Sequence, residues 1–352
     1  MQYDIIHFEA LGMESQHLEN EIQAAIKEGK LPLHSYLVTS ETIQDFLAKP
    51  ETSLPEVITV KAHSKVPASY LKGARKNVIF RGAGYDSVEY LAPSVNLTSL
   101  REYCVTAVAQ TALKLLYATA GYLNCYTEAI RTFNRQTVPS FFELGPHRIA
   151  TVFGVGRIGK QIYDLLQANG LTVQAVDIRE KELSQQYGSS VKFVSATEAM
   201  ATSDIILSGM SLTKDPAHPF YNVGYFSEDL FSHATKNLIF INVTRGDIAS
   251  EALLLELYKK GKIIGLGLDA FSKEGDFADF IKQKSTTTDL DHLAAKMLVE
   301  MSLNRTDNIY VQPHQGFNGD VAAAAKASET VKHLVYWFAN GKKGFVEQIP
   351  YY

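Results

Sequence analysis

The chain has 352 residues, which exceeds what one hydrophobic core usually organises, so two domains are predicted. Hydrophobic residues make up 46% of the chain and charged residues 20%, a balance that excludes a disordered or fibrous protein. The formal net charge is -4 at pH 7, and no basic cluster is dense enough to follow a phosphate backbone, which argues against nucleic acid as a partner.

Short apolar strands alternate with helices over the first hundred residues. Strands are predicted over 3–8, 34–39, 57–60 and 77–80, with a helix near 13–28 and a short helix after the second strand. This alternation is typical of βαβ units and a parallel sheet.

The first residues resemble no signal peptide, and no apolar run reaches membrane-spanning length, so a cytoplasmic protein without membrane contact is expected.

A second alternating series follows a long predicted helix over 105–134, a stretch with no proline and only one glycine, Gly121. Cys104 and Cys125 are assigned to this one helix, too far apart to form a disulfide, so both are expected to be reduced thiols. Further strands are predicted over 148–153, 171–176, 204–207, 238–241, 263–268 and 309–312, and further helices over 289–301 and 320–340.

The segment 154–159 reads GVGRIG and matches the pattern G-x-G-x-x-G, directly after a predicted strand and at the start of a predicted helix. The three glycines permit a tight turn, close approach of the backbone to a pyrophosphate, and close packing of helix on strand. The next strand ends in Asp177, whose carboxylate can accept hydrogen bonds from ribose hydroxyls or, alternatively, only cap the following helix. NAD is predicted as cofactor, in preference to NADP, because a carboxylate repels a 2′-phosphate. The residues assigned to the cofactor here are Gly154, Gly156, Arg157, Ile158, Gly159 and Asp177.

Three later segments carry a family resemblance: FINVTRGD at 240–247, GLGLDAF at 265–271 with Glu274 after it, and VQPH at 311–314. In order and approximate spacing they are similar to the D-2-hydroxyacid dehydrogenase family, especially its D-lactate dehydrogenase branch, and the resemblance extends roughly over 78–341. It implies that Arg245, Glu274 and His314 are catalytic, and that the protein reduces a 2-keto acid to an (R)-2-hydroxy acid with NADH.

The chemistry suits each of these three side chains. A planar guanidinium at Arg245 can hold the carboxylate and carbonyl of a 2-keto acid through charge-assisted hydrogen bonds. Imidazole at His314 is suited to donate the proton that the reduced carbonyl oxygen needs, with Glu274 orienting the ring. The alternatives are a surface ion pair for the arginine, a structural histidine and an acidic residue in a polar loop.

The resemblance also implies further contacts with substrate and cofactor. The backbone N–H groups of Ala83 and Gly84 would bind the substrate carboxylate, and Tyr103 would face the substrate unless it is only an aromatic wedge between domains. Arg245 and His314 belong to the same substrate site. From its position three residues after His314, rather than from the resemblance, Phe317 is also predicted to line this site and to favour apolar side chains. Thr244 and Asp269 are assigned to the cofactor, the latter to its nicotinamide amide. No histidine pair has metal-ligand spacing with a carboxylate partner, so no metal is predicted.

The predicted fold class is α/β, with two Rossmann-like domains and a cleft between them. The substrate domain is discontinuous, 1–103 with 316–352, and the NAD-binding domain is 104–315. The long helix after Tyr103 resembles the family's dimer arm, which implies a homodimer. From Glu274 to His314 the chain is longer than family members usually show, and whether this segment caps the cleft or enlarges an interface is left open. The rival hypothesis is an NAD-binding corepressor or regulator on the same fold.

Overall fold

The computed structural model describes residues 3–283 and 286–351, which divide into two α/β units. The first unit contains residues up to Cys104 and those from Asn318 onward, and the second contains Val105–Phe317. The predicted fold class is confirmed in that each unit has a parallel sheet flanked by helices.

Within the described ranges, every helix is too short or too polar to cross a membrane. A cytoplasmic location stays a prediction.

The first unit is built on a five-stranded parallel sheet in the order β2-β1-β3-β4-β5. All side chains of β3 and β4 are buried, which explains why these strands are apolar runs rather than alternating patterns. The strands are β1 (Ile5–His7), β2 (Tyr36–Val38), β3 (Val57–Val60), β4 (Asn77–Phe80) and β5 (Asn96–Ser99). The helices are α1 (Met13–Lys27), α2 (Ile43–Leu47) and the last helix of the chain, α12 (Ala322–Ala339).

Strand β5 was not predicted, because its sequence is mostly polar. Its side chains are nevertheless buried, and their polar atoms find partners that only the folded unit supplies. The Asn96 amide donates to Asn77 Oδ1 at 2.9 Å, and the Tyr351 hydroxyl accepts from the backbone N–H of Ser99 at 2.7 Å. Buried polar groups with such partners are compatible with a sheet interior, although no apolar run marks this strand in the sequence.

The second unit has a six-stranded parallel sheet in the order β11-β10-β9-β8-β6-β7. Its strands are β6 (Ile149–Phe153), β7 (Thr172–Val176), β8 (Ile205–Ser208), β9 (Leu238–Asn242), β10 (Ile263–Leu268) and β11 (Ile309–Val311). Strands β7 and β8 lie on opposite sides of β6, so the order in which strands are added to the sheet reverses at β6. Parallel α/β sheets bind ligands at the carboxyl ends of the strands at such a point. The helices are α3 (Val105–Ala120), α4 (Leu123–Ala129), α5 (Arg157–Ala168), α6 (Glu180–Tyr187), α7 (Ala196–Thr202), α8 (Glu228–Ser232), α9 (Glu251–Lys259), α10 (Glu274–Gln283) and α11 (Leu290–Asn304).

The prediction of one helix over 105–134 was wrong. Helix α3 ends at Ala120, whose carbonyl accepts the backbone N–H of Phe142 at 2.7 Å, and Tyr122 adopts a left-handed conformation with φ 47° before α4 begins. This long-range contact and the backbone reversal divide the apolar stretch into two helices. Cys104 lies just before α3 and Cys125 lies on α4, so the two cysteines are not on one helix as predicted, and both are free thiols.

Candidate active site

The glycine motif forms the turn between β6 and α5. Gly154 has φ +82°, and a Cβ there would lie 2.8 Å from Met210 Cα, while a Cβ on Gly159 would lie 1.8 Å from the Gly154 carbonyl oxygen. By contrast, a Cβ on Gly156 would meet no atom within 4 Å. Two glycines are therefore required by conformation or packing, and the third leaves open space at the start of α5. Arg157 and Ile158 form the first turn of that helix, whose N–H groups suit a pyrophosphate.

Asp177 connects the end of β7 to the glycine turn. Its Oδ2 accepts the backbone N–H of Val155 at 2.8 Å, and its Oδ1 accepts that of Arg179 at 2.9 Å. Each carboxylate oxygen still has a second lone pair with which to accept a hydrogen bond from a ribose hydroxyl. The structural and cofactor roles of this side chain are thus compatible. Its ribose contact stays a prediction.

Arg245 follows β9, in a turn organised by Asn242. The Asn242 amide donates to the Arg245 carbonyl at 2.8 Å, and its Oδ1 accepts from the backbone N–H of Thr244 at 3.1 Å. Arg245 is half-buried, and its Nη1 donates to the Thr244 carbonyl at 3.0 Å. Thr244 also lies 3.2 Å from the Ser208 hydroxyl at the end of β8, which places it on the carboxyl edge of the sheet.

Glu274 and His314 are in direct contact. His314 Nδ1 lies 2.6 Å from Glu274 Oε2, and both side chains are partly exposed. Glu274 is the first residue of α10 rather than part of a loop, so the helix holds its backbone in place. The Phe317 ring lies edge-on to the imidazole with centroids 6.5 Å apart. The Nδ1 of the ring is thus taken by the carboxylate, which leaves Nε2 for a reacting group.

Asp269 holds the backbone around His314. Its carboxylate accepts backbone N–H groups from Gln315 and Gly316 at 2.9 and 2.8 Å, and its carbonyl accepts that of His314 at 2.7 Å. Burial raises the pKa of the Asp269 carboxyl above its usual value, although the hydrogen bonds that it accepts, that from the Gly316 N–H first, lower it. His314 has φ 51°, an uncommon conformation for a non-glycine residue, and these contacts stabilise it. The contact predicted between Asp269 and the nicotinamide amide stays a prediction.

The substrate residues predicted in the first unit lie at the carboxyl end of its sheet. Ala83 and Gly84 follow β4, and the Ser99 hydroxyl donates to the Ala83 carbonyl at 3.3 Å. Tyr103 lies beyond β5, where its backbone N–H donates to Glu329 at 2.8 Å. Burial raises the pKa of its phenol well above the usual value, so the hydroxyl is a neutral donor. Within the described ranges, no group of three or more metal-ligating side chains is found.

Comparison with known proteins identifies the family. Residues 115–316 match the model of the NAD-binding domain of D-isomer-specific 2-hydroxyacid dehydrogenases. The chain belongs to the D-isomer-specific 2-hydroxyacid dehydrogenase family. The predicted resemblance and the NAD cofactor are thereby confirmed, and the open space beside Gly156 and the N-terminus of α5 fit that cofactor.

Relatives of the chain are named for different substrates. The chain is 27% identical over 255 residues to D-3-phosphoglycerate dehydrogenase of Archaeoglobus fulgidus, which covers 68% of this chain and 45% of that enzyme. It is 26% identical over 234 residues to D-lactate dehydrogenase of Treponema pallidum, covering 65% and 64% of the two chains. The structure of Aquifex aeolicus D-lactate dehydrogenase, complexed with NAD and lactic acid, has the same fold, with a TM-score of 0.75, 20% identity and coverage of 97% and 98%.

Sequence reasoning missed a buried carboxyl that supports the segments carrying two of the predicted catalytic residues, Arg245 and Glu274. Glu251, at the start of α9, is 1% exposed and accepts the backbone N–H and the hydroxyl of Ser272, two residues before Glu274. A Cβ on Gly246, next to Arg245, would lie 1.9 Å from the backbone of Phe271, so the two segments pack backbone against backbone. An acidic residue at the start of a helix is common because it interacts favourably with the helix dipole. The hydrogen bond from Ser272 spans 21 residues, so no local sequence pattern indicates it.

Replacing Asp177 with Ser should weaken the use of NADH and narrow the preference for NADH over NADPH by roughly tenfold, because the charge that repels a 2′-phosphate is lost. The relative rates with different keto acids should stay the same. The measurement is kcat/KM for both cofactors at saturating keto acid. Asp164→Ser, which removes an exposed carboxylate of α5 that pairs with Lys160, is the control. An unchanged ratio of NADH to NADPH would argue against the ribose contact.

The buried Glu251 predicts a pH dependence of stability. Burial, opposed by the Ser272 hydrogen bonds and assisted by Asp291, raises the pKa of this carboxyl from 4.5 to about 7. A raised folded-state pKa means that its contribution to stability is complete below pH 4.5 and is lost as the pH rises through 7. Glutamine does not titrate, so the free energy of unfolding of Glu251→Gln should lack this loss. The difference in free energy of unfolding, variant minus parent, should therefore rise by about 2 to 3 kcal/mol from pH 5 to pH 8. Urea unfolding at both pH values tests this.

The matched control for Glu251→Gln is Glu256→Gln on the same helix, since Glu256 is exposed and pairs with Lys260. The difference in free energy of unfolding between Glu256→Gln and the parent should not change comparably between pH 5 and pH 8. If the two glutamine variants behave alike, Glu251 does not titrate in the folded protein as described.

Proposed function

We propose that the protein is an NAD-dependent dehydrogenase that interconverts a 2-keto acid and an (R)-2-hydroxy acid, with D-lactate dehydrogenase-like chemistry. The observation that carries the proposal is the 2.6 Å contact between His314 Nδ1 and Glu274 Oε2, on a loop that Asp269 holds in an unusual backbone conformation. Backbone strain that is maintained by several contacts is typical of a functional site. A histidine oriented by a carboxylate is the arrangement that general acid–base catalysis needs.

The residues would act on the substrate as follows. The bound cofactor supplies a hydride to the carbonyl carbon in reduction and accepts one in oxidation. In reduction, His314 Nε2 donates a proton to the carbonyl oxygen; with the hydride added to carbon, the C=O group becomes CH–OH and the C–O single bond is kept. In oxidation the same atom takes the hydroxyl proton back. Glu274 stabilises the protonated ring, and the planar guanidinium of Arg245 binds the carboxylate and polarises the carbonyl.

The test is an NADH oxidation screen over pyruvate, branched keto acids, phenylpyruvate, hydroxypyruvate and oxaloacetate, followed by chiral analysis of the product. We expect turnover and an (R) product with at least one of these substrates. Binding of NAD without turnover on the whole panel would overturn the proposal in favour of an NAD-binding regulator. The relatives named phosphoglycerate and lactate dehydrogenases support the reaction class without selecting one substrate.

A second copy of the chain is the partner that we propose. From the last turn of α3 to the start of β6, large apolar side chains are exposed in the single chain, as expected of a segment that packs against another copy. They are Tyr117 (52% exposed), Leu123 (54%), Ile130 (68%), Phe133 (74%) and Phe141 (57%). Light scattering should give twice the chain mass of 39.0 kDa, and a monomeric mass at micromolar concentration would refute the dimer.

A further inference from the structure

Two side chains from the segment after β7 bind the backbone between the first two glycines of the cofactor motif. That backbone belongs to Val155, which is fully buried and lies between Gly154 and Gly156. The Val155 N–H donates to Asp177 Oδ2 at 2.8 Å, and the Val155 carbonyl accepts the hydroxyl of Tyr187 at 3.1 Å. Two consecutive peptide groups of the glycine turn are therefore each held by one side chain.

Tyr187 is well placed to hold this carbonyl. It is the last residue of α6, where Gly188 ends the helix with φ +57°. The Tyr187 carbonyl accepts the Ser190 hydroxyl at 2.6 Å, and its side chain is half-buried. Burial raises the pKa of the phenol above its usual value, so the hydroxyl is protonated and donates to the Val155 carbonyl.

The carbonyl that Tyr187 holds shares a peptide group with the N–H of Gly156. This peptide is trans and planar, so the C=O and the N–H point in opposite directions, and a hydrogen bond that fixes one also fixes the other. Among residues 3–283 and 286–351, none accepts the Gly156 N–H. This donor is thus left for a ligand, beside the open space at the start of α5.

Gly156 needs a constraint from outside its own side chain. Glycine adopts a wide range of backbone angles and loses more conformational freedom than other residues when it is ordered. Gly159 is fixed by close packing against the Gly154 carbonyl, whereas no atom would lie within 4 Å of a Cβ on Gly156. Without the Tyr187 hydroxyl, the peptide before Gly156 would lose the contact that orients it, and its N–H would be less preorganised for an anion.

We propose that Tyr187 is a positioning residue for the cofactor, whose hydroxyl orients the peptide between Val155 and Gly156 so that the Gly156 N–H binds the pyrophosphate of NAD. The glycine motif and the acid that ends the next strand are general features of dinucleotide sites, but a tyrosine at the end of the following helix is not. The alternative is that Tyr187 only packs α6 against the motif. The inference depends on NAD as the cofactor and not on the keto acid, so it can fail while the proposed function stands.

The experiment measures the dissociation constants of NADH, ADP-ribose and adenosine by calorimetry, with no keto acid present. ADP-ribose keeps the pyrophosphate without the nicotinamide, and adenosine lacks both phosphates. Tyr187→Phe keeps the ring and removes only the hydroxyl. The matched control is Tyr163→Phe, because the Tyr163 hydroxyl also donates to a backbone carbonyl, that of Val173 at 3.0 Å, near the end of β7 that is remote from Asp177. Circular dichroism reports whether each variant is folded.

We expect Tyr187→Phe to weaken the binding of NADH and ADP-ribose by about 3- to 10-fold, the usual effect of losing one hydrogen bond, and to leave adenosine binding unchanged. Tyr163→Phe should leave the affinity for all three ligands unchanged. Equal affinities of Tyr187→Phe and the parent for NADH and ADP-ribose would overturn the inference. A loss that adenosine shares, or a Tyr187→Phe chain that does not fold, would also overturn it. Adenosine keeps the ribose assigned to Asp177, so displacement of the whole segment would weaken its binding too.

Discussion

Replacing His314 with Gln should lower keto-acid reduction and hydroxy-acid oxidation together, by about three orders of magnitude, because both directions lose the group that transfers the proton. Gln retains polarity and similar length, so the loop that Asp269 holds should keep its conformation. The measurement is kcat in each direction at saturating NADH or NAD, with cofactor binding followed by fluorescence. His233→Gln, at an exposed histidine after α8, is the control and should leave both rates unchanged.

Glu274→Gln provides the companion measurement. The amide can still accept or donate one hydrogen bond to Nδ1, but it no longer stabilises the protonated ring, so we expect a loss of about 10- to 100-fold rather than a complete collapse. A loss with this variant as large as that of His314→Gln would mean that the carboxylate itself takes part in the chemistry. Unaltered rates with His314→Gln would remove the histidine from the mechanism.

Arg245→Lys should lower kcat/KM for keto acids by at least one order of magnitude although the charge is kept. Lysine is a point charge without the planar fork that binds a carboxylate and a carbonyl together. The turn itself should survive, because the Asn242 amide donates to the backbone carbonyl of residue 245, which the substitution leaves in place. Steady-state kinetics with pyruvate and with the best substrate of the screen measure the effect.

The control for this change is Arg131→Lys, at an exposed arginine that pairs with Glu128 on the second unit. It should have kinetics equal to those of the parent. NADH affinity should be the same in both variants, which separates loss of substrate binding from loss of cofactor binding. Near-normal keto-acid kinetics for Arg245→Lys would refute its proposed contact with the substrate.

Much of the fold was predictable because its signals are local. Buried parallel strands are apolar runs, and the glycine motif at 154–159 has its meaning only between a strand and a helix, both of which are evident in the sequence. Asp177 could be assigned because it ends the next strand of the same unit. The pairing of Glu274 with His314 was expected from their order in the family pattern, and the 2.6 Å contact agrees with it.

Other features depend on residues far apart in the chain, and no local pattern predicts them. The helix over 105–134 is interrupted because Phe142 binds the Ala120 carbonyl, and β5 is a strand because its polar groups find partners in the folded unit. Glu251 and Asp269 hold the segments that carry the predicted catalytic residues by hydrogen bonds that span 21 and 47 residues. The sequence by itself determined the fold class and the cofactor motif, and it predicted the catalytic side chains. Only the tertiary structure decided which buried carboxyls hold them, because burial and long-range hydrogen bonds arise when the chain has folded.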